Sequence, residues 1–283
     1  MNPVISIMAQ GGMGAATASR LVEKGLEVRT DLTGRGTASA ERAAKAGMKT
    51  VSEDELAGAD FLFSIVPPAD AVSLAKRLSP ALARAGRKPI YVDLNAVNPQ
   101  TKKKVARIVQ ATGARFVDGS IIGGPPRAGY DGPAYYVSGA DAKLVEALAP
   151  FDLKIVVLDA PIGAASALKM SYAGITKGLI AISCSMILAA QRAGVSDALY
   201  KELSASQTAL LAGFARNTPD MFSKANRWVA EMREICDFAG PDRAEQEIFS
   251  GVANFYSRIA RDFNGAKEEI AVLRDFFPIE PKR

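Results

Sequence analysis

Between Asp159 and Arg192 only two residues carry charge, Lys169 and Lys177. An ammonium on an otherwise apolar helix is costly unless it reaches water or a polar cavity. Burial lowers a lysine pKa and makes the amine usable for proton transfer near neutrality. At helical spacing Lys169 shares a face with Tyr172, Ala173 and Thr176. Lys177 could equally snorkel to the surface, and so could Lys169; composition and spacing do not choose between them. The sequence contains no histidine. That removes Ser-His-Asp and Cys-His nucleophiles, His-ligated zinc and HExxH chemistry. Any acid/base group must be Lys, Tyr, Cys, Asp or Glu. The two cysteines, Cys184 and Cys236, build neither a disulfide framework nor a CxxC site. No metal site is expected, and a reducing compartment, the cytoplasm, is the default.

A second chemical signal is Ala9-Gln10-Gly11-Gly12-Met13-Gly14, which follows the apolar run Val4–Met8. Small residues at GxGxxG spacing let a chain turn tightly, approach a pyrophosphate and start a helix whose N-terminus faces the phosphates. Here Ala9 takes the first glycine position, followed by Gly11 and Gly14. A strand before and a helix after strengthen a fingerprint that is weak alone. The next strand pattern ends in Asp31-Leu32-Thr33-Gly34-Arg35. Asp31 could hold a ribose 2′-hydroxyl, as NAD requires, whereas Thr33 and Arg35 could hold the 2′-phosphate of NADP. Asp31 falls one residue short of the usual acid, so NADP is favoured and NAD stays possible.

These residues sit in a chain of 283 residues, enough for two domains. Up to residue 160, short β-rich runs alternate with Ala-rich helical segments, the pattern of an α/β, Rossmann-like, doubly wound parallel sheet. From 161 to 283 no strand pattern recurs, and an all-α domain is expected, led by a helix of about eight turns over Gly163 to Ala193. The chain closes on a low-complexity Pro-Ile-Glu-Pro-Lys-Arg tail. Net charge is 35 − 30 = +5, spread along the chain, so no nucleic-acid surface is expected. The longest charge-free apolar stretch, Gly178 to Ala190, is too short for a bilayer, and no membrane association is expected.

Four motifs in order make the chain resemble the β-hydroxyacid dehydrogenase superfamily, which includes 3-hydroxyisobutyrate and 6-phosphogluconate dehydrogenases. The glycine loop matches that family's Gly-Leu-Gly-x-Met-Gly, methionine included. Val66-Pro67-Pro68 matches a Val-Pro beside the cofactor. Asp118-Gly119-Ser120-Ile121-Ile122-Gly123-Gly124 is similar to the family's Asp-Ala-Pro-Val-Ser-Gly-Gly substrate loop, and Gly163 to Lys169 to the helix that supplies its catalytic lysine. The family's serine before the double glycine is Ile122 here, its asparagine four residues after the lysine is Ala173, and its Ser-Thr after the strand-five aspartate is Asn95-Ala96. A less polar substrate pocket is expected. Arg227 to Met232 is similar to a subgroup whose C-terminal domain has no assigned role.

The resemblance implies an NADP-dependent oxidoreductase that moves hydride between nicotinamide and a small or medium hydroxyacid or carbonyl, with Lys169 as general acid/base. Gly123 and Gly124 would offer backbone amides to a substrate anion. Ser120, Asn95 and Tyr172 are candidates for substrate or nicotinamide contacts. An imine reductase is the alternative within the class, and a non-catalytic NADP-binding protein the alternative outside it. A homodimer through the apolar helix is expected.

Overall fold

The computed structural model describes residues 2–240 and 243–277; the Pro-Ile-Glu-Pro-Lys-Arg tail lies outside them. The chain divides into two compact units, Met1–Met170 and Ser171–Arg283. The first unit holds strands β1 (Ile5–Met8), β2 (Val28–Thr30), β3 (Lys49–Thr50), β4 (Phe61–Ser64), β5 (Ile90–Asp93), β6 (Arg115–Ile122), β7 (Ala134–Ser138) and β8 (Lys154–Val157). They form one sheet in the order β3-β2-β1-β4-β5-β6-β7-β8. Helices α1 (Gly12–Glu23), α2 (Thr37–Lys45), α3 (Glu53–Ala57), α4 (Ala71–Arg84) and α5 (Pro99–Gln110) connect the first six strands.

Strands covered on both faces read as continuous apolar runs, and all four residues of β1 and of β4 are buried. One core joins Ile5, Ile7, Val117 and Tyr135 to Ala18 and Leu21 of α1 and Leu148 of a 3-10 segment. The other joins Met8, Leu62 and Phe116 to Leu74 and Leu78 of α4 and Val105 of α5. Local signals set the helix starts: the Asn98 side chain accepts from Thr101 N at 2.9 Å, with Pro99 in the first turn.

The sheet is not wholly parallel. β7 runs antiparallel to β6, pairing Asp118 with Ser138, and β8 is parallel to β7. The 123–133 connection contains no helix to carry a parallel crossover.

Helix α6 (Ala164–Arg192) contains the division between the units. The first turns of the helix are bound to strand side chains of the first unit, as described below. By length and composition α6 could cross a membrane, contrary to what its charge-free segment implied. Lys169 and Lys177 are nevertheless both engaged by protein groups, and Met170, Ala173, Ile180, Cys184 and Ile187 are buried. One side of α6 is thus covered by protein.

The second unit continues with α7 (Ser196–Ser206), α8 (Thr208–Ala239), α9 (Ala244–Asn264) and α10 (Glu268–Phe276). Trp228 of α8 meets Tyr256 of α9 edge-on at 5.2 Å. The Lys177 ammonium pairs with Glu231 and lies 4.8 Å from the Trp228 ring centre. Lys177 is therefore built into the helical packing.

Candidate active site

The end of β1 passes through Ala9-Gln10-Gly11 into α1. No side chain caps this helix and no acid stands in its first turn, so its amides and dipole are left for an anion. A Cβ placed on Gly11 or Gly12 would meet nothing within 4 Å, whereas one on Gly14 would lie 1.9 Å from the Ala9 carbonyl oxygen. Gly14 is thus needed for helix–strand packing, while Gly11 and Gly12 keep space open over the helix start. The loop is braced from beneath. Gln10, fully buried, donates to Thr30 Oγ1 and to Asp31 O at 2.8 Å, and Arg42 Nε donates to Gln10 O at 2.7 Å.

The two nucleotide-choosing groups differ in availability. Asp31 is 4% exposed; its carboxylate accepts from Thr33 N at 2.8 Å and pairs with Arg77 of α4 at 3.1 Å. Each oxygen accepts one protein donor. Thr33 and Arg35 are exposed on a turn closed by Arg35 N donating to Leu32 O at 2.9 Å, with Gly34 at φ +71°.

After β4 the chain runs through buried Val66 to exposed Pro67 and to Pro68, which opens a 3-10 turn. Asn95 is 2% exposed, and its amide makes two internal hydrogen bonds. Oδ1 accepts from Val66 N at 2.7 Å and Nδ2 donates to Ser64 Oγ at 2.8 Å. These two bonds fix the Val66 corner and use one acceptor site and one donor of the amide.

Lys169 is partly buried and donates from Nζ to Ile121 O at 3.1 Å. That carbonyl stands two residues before Gly123, which has φ +127° and lies exposed with Gly124. The structure thus joins the lysine to the double-glycine loop. A Gly123 Cβ would lie 3.1 Å from Pro133 Cα and 2.5 Å from the Tyr130 hydroxyl at a φ of +127°, a conformation that disfavours any side chain there. Arg20 of α1 secures the loop's far limb, donating to Tyr130 O at 3.0 Å and Gly132 O at 3.1 Å. A cavity of about 1130 Å³ runs along the outer face of α1, lined by Ala15, Arg20, Arg42 and Arg127 among others; Lys169 and the double glycine do not line it. Ser120 is fully buried, and its hydroxyl has no partner among the described residues. Tyr172 belongs to the second unit and is half exposed.

Sequence reasoning passed over the polar groups beneath this site. Lys102 of α5 is fully buried, and its ammonium donates to Asp93 Oδ1 at 2.8 Å, Asp93 O at 2.8 Å and Gly119 O at 3.2 Å. Burial raises the Asp93 carboxyl above the usual range, with the Lys102 charge opposing. In the sequence Lys102 is one of three consecutive lysines, and nothing local marks it as the buried one.

Residues 5–163 match the NAD binding domain of 6-phosphogluconate dehydrogenase, and residues 190–259 match a domain of unknown function (DUF1932). An uncharacterized 28.5 kDa protein of Methanothermus fervidus is 31% identical over 198 residues, 69% of this chain and 74% of that protein. The mitochondrial 3-hydroxyisobutyrate dehydrogenase of Drosophila melanogaster is 28% identical over 141 residues, 49% of this chain and 43% of the enzyme. A solved structure of a conserved protein of unknown function, itself described as similar to 3-hydroxyacid dehydrogenases, superposes with a TM-score of 0.70. It is 26% identical, and the match covers 92% of this chain and 98% of that one.

Proposed function

Because the chain belongs to the family of the 6-phosphogluconate dehydrogenase NAD-binding domain, with a DUF1932 domain following, we propose that it is an NADP-dependent oxidoreductase acting on a small or medium hydroxyacid or carbonyl compound. The observation that carries this reading is the 3.1 Å hydrogen bond from Lys169 Nζ to Ile121 O, which sets the amine beside Gly123 and Gly124.

The residues present fit a dinucleotide. The uncapped start of α1 and the open space over Gly11 and Gly12 suit the pyrophosphate, with Met13 and Gly14 completing the turn. Val66, Pro67 and Pro68 form the wall expected beside the nicotinamide. The burial of Asp31 against Thr33 N and Arg77 disfavours a ribose 2′-hydroxyl contact, and exposed Thr33 and Arg35 favour the 2′-phosphate.

When bound, the nicotinamide supplies hydride transfer. Neutral Lys169 takes the hydroxyl proton in oxidation, and its ammonium returns a proton to the carbonyl oxygen in reduction. The Gly123 and Gly124 amides bind the substrate's anionic or carbonyl oxygen. Six exposed apolar residues of α6, Leu168, Tyr172, Ile175, Leu179, Ile182 and Met186, repeat at alternating spacings of four and three. That seam suits a second copy of the chain, so we read the protein as a cytoplasmic homodimer.

Lys169→Ala tests the acid/base role. Screened with NADPH against 3-oxoacids, aldehydes and cyclic imines, the variant is expected to bind NADPH normally and to lose about 10²–10⁴-fold in kcat. Turnover within a few-fold of the unaltered protein refutes the role. Turnover of imines alone moves the assignment to imine reduction, and tight NADPH binding without turnover moves it to a non-catalytic binder.

A further inference from the structure

Three neighbouring strands place polar side chains at one level: Asp93 on β5 pairs with Asp118 on β6, which pairs with Ser138 on β7. All three are fully buried. The start of α6 is fastened to this row. Asp118 Oδ2 accepts from Gly163 N at 2.8 Å, Ser166 N at 3.2 Å and Ser138 Oγ at 3.0 Å, and Oδ1 accepts from Ser166 Oγ at 2.5 Å. Ser138 Oγ also accepts from Ala165 N at 3.1 Å. Side chains from two strands thus cap a helix distant in sequence, satisfying amides that helix starts leave unpaired.

Four donors thus converge on Asp118, three at Oδ2 and one at Oδ1. Asp93, a second buried carboxylate, lies opposite it on the neighbouring strand. Lys102 Nζ stands between them, 2.8 Å from Asp93 Oδ1 and 3.6 Å from Asp118 Oδ1. Strand and helix then advance together: three residues beyond Asp118 is Ile121, three beyond Ser166 is Lys169, and these two also meet.

We propose that Lys102, acting through Asp118, is a positioning residue that seats the first turn of α6 and thereby sets the place of the Lys169 amine. The inference rests on the acid/base reading of Lys169 for its functional meaning, but its test does not use turnover. Reductive methylation with [¹³C]formaldehyde labels the partly exposed Lys169 and keeps its charge; loss of one resonance in Lys169→Arg identifies the signal. In Lys102→Met, which keeps the stem and removes the ammonium, that resonance should shift, and its titration midpoint should move by at least about half a pH unit. NADPH binding, followed by fluorescence, should stay within about twofold, because the glycine loop lies on other strands. Ser166→Ala deletes one hydroxyl of the link and should give the same change at smaller amplitude; it decides the matter if Lys102→Met does not fold. An unmoved Lys169 resonance in the folded variants overturns the proposal. Retained turnover in Lys169→Ala would instead refute the acid/base role and leave the positioning result standing.

Discussion

The glycine loop makes two kinds of demand, and alanine substitutions separate them. At Gly14 a methyl group would lie 1.9 Å from Ala9 O and 3.1 Å from Ala9 C, contacts to backbone that no side-chain rotation relieves. Overpacking of this kind costs about 1–3 kcal/mol. At roughly 2–4 °C per kcal/mol for units of this size, the apo Tm should fall by about 2–12 °C. At Gly12 a methyl group meets nothing within 4 Å, and the residue is the first of α1. Surface changes of that type usually alter stability by no more than about 0.5 kcal/mol. The methyl would, however, stand where the pyrophosphate is proposed to rest. Gly12→Ala should therefore melt like the unaltered protein yet bind NADPH at least about tenfold more weakly, a loss of about 1.4 kcal/mol. Differential scanning calorimetry of the apo forms and titration of NADPH fluorescence read the two effects. An unchanged Tm in Gly14→Ala would refute the packing argument. Unchanged NADPH affinity in Gly12→Ala would refute the placement of the phosphates.

Arg35→Ala should weaken NADPH by about ten- to a hundredfold, the value of a hydrogen bond to a charged group, and leave NADH nearly unaffected; equal weakening of both removes the 2′-phosphate role. Ile182→Lys, within the exposed α6 seam, should convert a dimer to a monomer by light scattering at micromolar concentration, and a persisting dimer would locate the interface elsewhere. Burial pushes the Cys184 thiol up to about 11. Because the thiolate forms only as pH rises toward that value, about one molecule in a thousand carries it at pH 8, and iodoacetamide should alkylate Cys184 far more slowly than a free thiol. Rapid labelling by mass spectrometry would contradict the burial.

Much of the first unit was readable because its strands and helices obey local rules. Ile5–Met8 and Phe61–Ser64 are apolar runs bounded by turns, and Asn98-Pro99 announces a helix. What escaped depends on partners distant in sequence. Lys49–Thr50 makes a strand of two exposed residues that exists only by pairing with β2. Helix α3 is the exception, since Ser52 and Glu55 form a capping box that the sequence does display. At the site, the glycine loop, Lys169 and the double glycine were legible as motifs. The commitments of Asn95 to Val66, of Asp31 to Arg77 and of Lys102 to Asp93 were not. Each links residues whose meeting is decided by strand register or helix rotation, which no short motif encodes.

The apolar seam on α6 has a geometric consequence. A straight α-helix and a seven-residue repeat drift apart by about 20° per heptad. Between Leu168 and Met186 the hydrophobic line therefore winds roughly 50° around the cylinder. A flat surface could follow only part of that path. Whatever covers the whole line must coil leftward with it, as another helix of identical periodicity would.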